Sequence, residues 1–108
     1  MKGKLHHAAV NTAHFEETVT FFETLFEMEI SSTRGEAPHR KLWFREGIQV
    51  NEVPQIAAGG NVFDHIGIHV PNRGEAIQKA LAMGCAPMEG KAAHWLLAPG
   101  GIVLELSE

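Results

Sequence analysis

Polar and apolar positions alternate from Leu5 to Thr12, with His7, Ala9 and Asn11 on one side and Ala8 and Val10 on the other, which is the period of a strand. The period then lengthens. Phe15, Val19, Phe22, Leu25 and Phe26 recur at three- and four-residue steps, with Glu16, Glu17 and Glu23 opposite, so an amphipathic helix follows with those five residues as its apolar face. His14 stands where a cap is expected, and Glu16 and Glu17 suit the positive end of the helix dipole. Residues 27–33 read as a strand and 34–39 as a loop with Gly35 and Pro38. Residues 41–45 and 48–53 read as a hairpin turning near Glu46-Gly47. The pattern lapses over residues 54–61, a Pro-, Ala- and Gly-containing linker.

The same order then returns. Residues 64–70 alternate, with His65, Gly67 and His69 facing one way and Ile66, Ile68 and Val70 the other. Asn72 caps a second helix lined by Ala76, Ile77, Ala80 and Leu81 and closed by Gly84. A short strand at 86–89 precedes a hairpin of 94–97 and 102–106 around Pro99-Gly100-Gly101. A shift of 58 positions lays His7-Ala8-Ala9-Val10 on His65-Ile66-Gly67-Ile68, and a shift of 54 lays Gly47–Asn51 on Gly101–Glu105. The chain therefore reads as one α+β domain, residues 1–108, made of two βαβββ modules at about 1–54 and 62–108. Each module alone has too little core, so the two should pack together or exchange with another subunit.

Alternation also sorts side chains by face. Ile66, Ile68, Ile102, Leu104 and Leu106 should meet the helices, which turns His7, His65, Asn51 and Glu105 to the opposite, concave face. Two imidazoles and a carboxylate from three strands form a donor set for a divalent metal such as Zn, Fe, Mn or Ni, with positions left open for water or substrate. Histidine abundance draws attention to this set: there are 7 in 108 residues. Gln49 and Asn51 share a face as candidate substrate contacts, and Arg40 could hold a substrate carboxylate or phosphate. Trp43 or Trp95 could pack on the substrate's apolar part. His69 is a wall residue of the pocket and a weak candidate for a catalytic base. His6 is read as structural, and His14, His39 and His94 as helix-start, loop and hairpin residues.

Composition narrows the partner. A net charge of −4 offers no basic face for nucleic acid. No apolar run approaches the ~20 residues of a membrane span, and the first residues lack an apolar signal region. Cys85 is a single cysteine, so no internal disulfide forms and a cytoplasmic location is expected.

His7-Ala8-Ala9-Val10 with the helix from Phe15 to Phe26, then His65–Val70 and Ala98–Leu106, resembles the vicinal oxygen chelate superfamily over nearly the whole chain. That group includes glyoxalase I, methylmalonyl-CoA epimerase, fosfomycin-resistance enzymes, extradiol dioxygenases and the metal-free bleomycin-resistance proteins. The resemblance implies a curved, mostly antiparallel sheet with helices on its convex side, and metal ligands at His7, His65 and Glu105. It implies a homodimer and a glyoxalase-like metalloenzyme whose small substrate chelates the metal through vicinal oxygens. The reaction stays open among lyase or isomerase, transferase and dioxygenase chemistry. The alternative it carries is a metal-free small-molecule-binding protein. Three departures stand out. Asn51 occupies the place of a strong fourth ligand, with Glu52 as the neighbouring choice if the register differs; Phe22 replaces a tyrosine; and Glu27 replaces the glycine that normally ends the first helix.

Overall fold

The computed structural model describes residues 1–108. Eight strands and two helices follow one another as β1 (Lys4–Thr12), α1 (Phe15–Phe26), β2 (Ile30–Arg34), β3 (Lys41–Phe44), β4 (Ile48–Glu52), β5 (Phe63–His69), α2 (Arg73–Ala82), β6 (Ala86–Pro87), β7 (Trp95–Leu97) and β8 (Val103–Ser107). The chain is α+β, and the order βαβββ occurs twice. No helix is long and apolar enough to cross a membrane.

Two compact units result: one of residues 8–64, the other of residues 1–7 with 65–108. Strand β1 contributes to both, its first residues to the unit that holds β5 and its remainder to the unit that holds β4. In the first unit β1 pairs parallel with β4, and β4–β3 and β3–β2 are antiparallel. The second follows the same scheme, with β5 parallel to β8, and β8–β7 and β7–β6 antiparallel. A helix that connects the first strand of a module to the rest covers one face, so each module buries a single apolar side.

The first core is Phe15, Val19, Leu42, Phe44 and Val50, with Val10, Phe22, Met28 and Ile48 packed around it. The apolar face expected of α1 is correct for Phe15, Val19 and Phe22 but not for its last turn: Leu25 is 61% and Phe26 55% exposed. All five residues of β2, the next strand, are exposed as well. The second core is Val70, Ala76, Leu96 and Leu106, with Ile68, Ile77, Ala80, Leu81 and Cys85 around it. Ile102, expected on the helix side, precedes β8 and is exposed.

Helix ends explain further differences. His14 makes no side-chain cap; its N–H donates instead to Thr12 Oγ1 at 3.0 Å. Helix α1 closes at Glu27, whose left-handed φ of 54° sends the chain out of the helix, and Met28 N–H then donates to the Phe22 carbonyl at 3.3 Å. Residues 27–29 are thus a helix exit, and the strand expected from residue 27 begins only at Ile30. Asn72 caps α2 as expected, its side-chain oxygen accepting from Glu75 N–H at 3.0 Å.

Candidate metal centre

In the unit of residues 1–7 and 65–108, strand pairing sets three side chains side by side. His7 ends the segment of β1 in this unit, His65 lies on β5, and Glu105 on β8 is the register partner of Gly67 on β5 and of Trp95 on β7. His7 Nε2 lies 2.9 Å from His65 Nε2 and 3.2 Å from Glu105 Oε1, and His65 Nε2 is 3.4 Å from the same oxygen. His7 and His65 are buried, while Glu105 is half-buried.

One position makes room for this. Position 67 lies on the same face of β5 as His65, and a Cβ built there would overlap the His7 imidazole, approaching its Nε2 to 2.7 Å. The ring occupies the space that a side chain at 67 would fill, so only glycine permits His7 to lie across β5 toward Glu105. Trp95 closes another side, its ring meeting the His65 ring edge-on at 4.6 Å between centroids, and Lys91 Nζ sits 4.5 Å over the Trp95 ring. His94 Nε2 is 3.9 Å from the other carboxylate oxygen, Glu105 Oε2.

Burial holds the His7 pKa below its ordinary value, and the neighbouring His65 and His6 push it the same way against the pull of Glu105. A neutral imidazole keeps a lone pair for a cation. Donors about 2.1 Å from one ion are spaced about 3.0 Å apart at octahedral angles and about 3.4 Å at tetrahedral ones. The three observed separations fall within that interval or just below it, so two nitrogens and one oxygen fit a divalent cation of the zinc, iron, manganese and nickel class.

Arg40, Trp43, Gln49 and Asn51 lie in the unit of residues 8–64. Trp43 Nε1 donates to Gln49 Oε1 at 2.9 Å, Gln49 Nε2 to Asn51 Oδ1 at 2.7 Å, Asn51 Nδ2 to Asn11 Oδ1 at 3.3 Å, and Asn11 Nδ2 to Asp64 Oδ1 at 3.1 Å. An indole can only donate and an ionised carboxylate can only accept, so the two ends fix the orientation of all three amides between them. Gln49 and Asn51 are buried within this row.

Arg40 and Glu52 take each other. Arg40 Nε and Nη2 donate to Glu52 Oε1 and Oε2, both at 2.8 Å, and Arg40 N–H adds 3.1 Å to Oε1. This fork holds the Glu52 carboxyl at about 2. Arg40 also reaches Glu16 at 3.4 Å and lies 4.5 Å over the Phe15 ring. Its guanidinium is thereby committed inside its own unit, and Glu52 is turned to this pair while Asn51 joins the amide row. His69 is exposed, its Nδ1 3.3 Å from Ser107 Oγ, and it borders a shallow cavity of about 260 Å³ with Lys2, Lys4, Val70 and Pro71.

No protein-family model matches the sequence, and no curated protein matches it. Solved structures do. A methylmalonyl-CoA epimerase in complex with methylmalonyl-CoA and NH4+ superposes with a TM-score of 0.72 over 98% of this chain and 94% of its own, at 16% identity. The Mycobacterium tuberculosis methylmalonyl-CoA epimerase gives 0.68 over 94% and 85%, at 13% identity. BphC, a halotolerant catechol dioxygenase, gives 0.69 over 94% of this chain and 39% of its own, at 10% identity. The chain has the vicinal oxygen chelate fold.

Within the vicinal oxygen chelate fold of this chain, several residues of the metal centre or of the amide row are not singled out by the alternation. Gly67 is one, since a missing side chain leaves only a gap in the pattern. His94 precedes β7 and reaches Glu105 from outside it. Asn11 and Asp64 complete the amide row, and the shared face of Asn11 with His7 was the signal available for the first of them.

Proposed function

We propose that this protein is a glyoxalase-like metalloenzyme in which His7, His65 and Glu105 hold a divalent cation that binds a small substrate through two adjacent oxygens. The observation that carries the reading is the meeting of His7 Nε2, His65 Nε2 and Glu105 Oε1 within 3.4 Å of one another. When bound, such an ion supplies Lewis acidity toward a substrate oxygen on which negative charge develops. The protein's part is to fix three donors on three strands and to keep two of them buried, where charge is felt strongly. Trp95 shields the His65 side, and His94 stands beside the other oxygen of Glu105.

The reaction stays open among lyase or isomerase, transferase and dioxygenase chemistry. A methylmalonyl-CoA epimerase and a catechol dioxygenase are among the structures similar to this chain, which supports an enzyme within that range. Asn51 cannot act as a base, so an isomerase would draw its base from elsewhere, with His69 and His94 as candidates. Gln49, Asn51 and Trp43 form a preoriented polar row suited to hydrogen bonding with a small ligand. The reading includes a single domain over residues 1–108 and a homodimer, which light scattering tests.

Elemental analysis of untagged protein is the deciding experiment. Near-stoichiometric metal that is lost in His65→Ala supports the enzyme. No binding after reconstitution with Zn, Fe, Mn or Ni refutes it and leaves a metal-free small-molecule-binding protein.

A further inference from the structure

His6 was expected to be structural, since adjacent residues of a strand point to opposite faces. Its ring nevertheless reaches its neighbour: His6 Nδ1 lies 2.7 Å from His7 Nδ1, the rings edge-on at 5.0 Å. The His6 ring also stacks on His69 at 6.3 Å and 28°, and His69 is in turn 3.3 Å from Ser107 Oγ.

A neutral imidazole carries one proton on two nitrogens. If His7 is to present the Nε2 lone pair to a cation, its proton must lie on Nδ1, and the atom there to receive it is His6 Nδ1. That nitrogen must then be bare, with the His6 proton on Nε2. The opposite arrangement has His6 Nδ1–H donating to His7. It leaves the His7 proton on Nε2, between His65 Nε2 at 2.9 Å and Glu105 Oε1 at 3.2 Å, and closes the donor set to a cation. The 2.7 Å contact therefore ties the two tautomers together: one arrangement is open to metal and the other is not.

We propose that His6 is a positioning residue that accepts the Nδ1 proton of His7 and so holds His7 in its metal-binding tautomer. This rests on the metal site proposed above. Metal-bound histidines ordinarily give their second N–H to a carboxylate, a backbone carbonyl or water, and the first two of these can only accept. An imidazole in that place is different, because it can accept only when its own proton moves to the far nitrogen. The protons of the two rings are thus ordered together, and the stack on His69 holds the His6 ring in place.

The test uses zinc, which is diamagnetic, and the whole chain with ¹⁵N-labelled histidine. Long-range ¹⁵N–¹H correlation spectra of the zinc-loaded protein are expected to show His7 protonated at Nδ1 and His6 at Nε2. Competition with a chromophoric chelator measures affinity. His6→Phe is expected to lose about 10–100-fold. His6→Asn, whose side-chain oxygen replaces Nδ1 as an acceptor, is expected to restore most of it. The inference is overturned if His6→Phe binds zinc as tightly as the parent, if His6→Asn is as weak as His6→Phe, or if zinc-bound His7 carries its proton elsewhere. Failure of the parent protein to bind zinc would instead sink the metal site itself, which separates the two outcomes.

Discussion

Gly67→Ala is the sharpest probe of the donor set, because it leaves all three ligating residues in place. The added methyl would lie 2.7 Å from His7 Nε2 and closer still to other atoms of the ring. Nonbonded heavy atoms prefer about 3.5 Å or more, so the imidazole must retreat by at least about 0.8 Å. Metal–ligand distances tolerate about 0.2 Å, so a retreat of that size removes His7 from the coordination sphere. The expected loss of zinc affinity is about 100-fold or more, at or beyond the upper end of losses from outer-shell changes. The crowding should also destabilise the fold by about 1–3 kcal/mol. Chelator competition measures the first and thermal unfolding of metal-free protein the second. If folded Gly67→Ala binds zinc within about threefold of the parent, the space at position 67 does not govern the site and the argument from the missing side chain is wrong.

Two further predictions concern the scaffold. Glu27 holds a left-handed conformation that costs an L-residue about 1–2 kcal/mol, against about 0.5–1 kcal/mol of flexibility that glycine must lose, so Glu27→Gly should stabilise by about 0.5–1 kcal/mol in denaturant titration; a loss of stability would show that Glu27 does something else there. The Arg40 fork depresses the Glu52 carboxyl from 4.5 to about 2, so its contribution to stability is complete above pH 4.5 and fades as pH falls toward 2. Glu52→Gln should flatten this acid limb, and an unchanged limb would count against the pair.

Period-two alternation put His7, His65 and Glu105 on one face from sequence alone, because a strand offers no other direction for them. The structure brings their donor atoms together because the parallel β5–β8 register sets Gly67 opposite Glu105. What periodicity could not supply were distances between elements. Leu25 and Phe26 have the helical spacing of core residues, yet azimuth does not say which turns of a helix are covered, and both are exposed. Arg40 and Glu52, twelve residues apart, meet at the open end of the β3–β4 hairpin, beside the Lys41–Asn51 pair. His6 reads as structural from sequence for another reason: face alternation describes Cβ directions, and its imidazole is long enough to bend back toward its neighbour.

The row from Trp43 to Asp64 runs one way only, and that has a bearing on how this protein could change. An acidic residue at position 51 would accept from Gln49 and would also have to accept from Asn11, whose carbonyl oxygen would then face the carboxylate of Asp64. Two anions and a misdirected amide would be left in conflict, so Asn51→Asp alone should be poorly tolerated. Converting Asp64 to asparagine at the same time lets Asn11 turn over and every proton find a partner. Acquiring a carboxylate in the middle of the row is thus a two-step path, with the charge moved along the row rather than added to it.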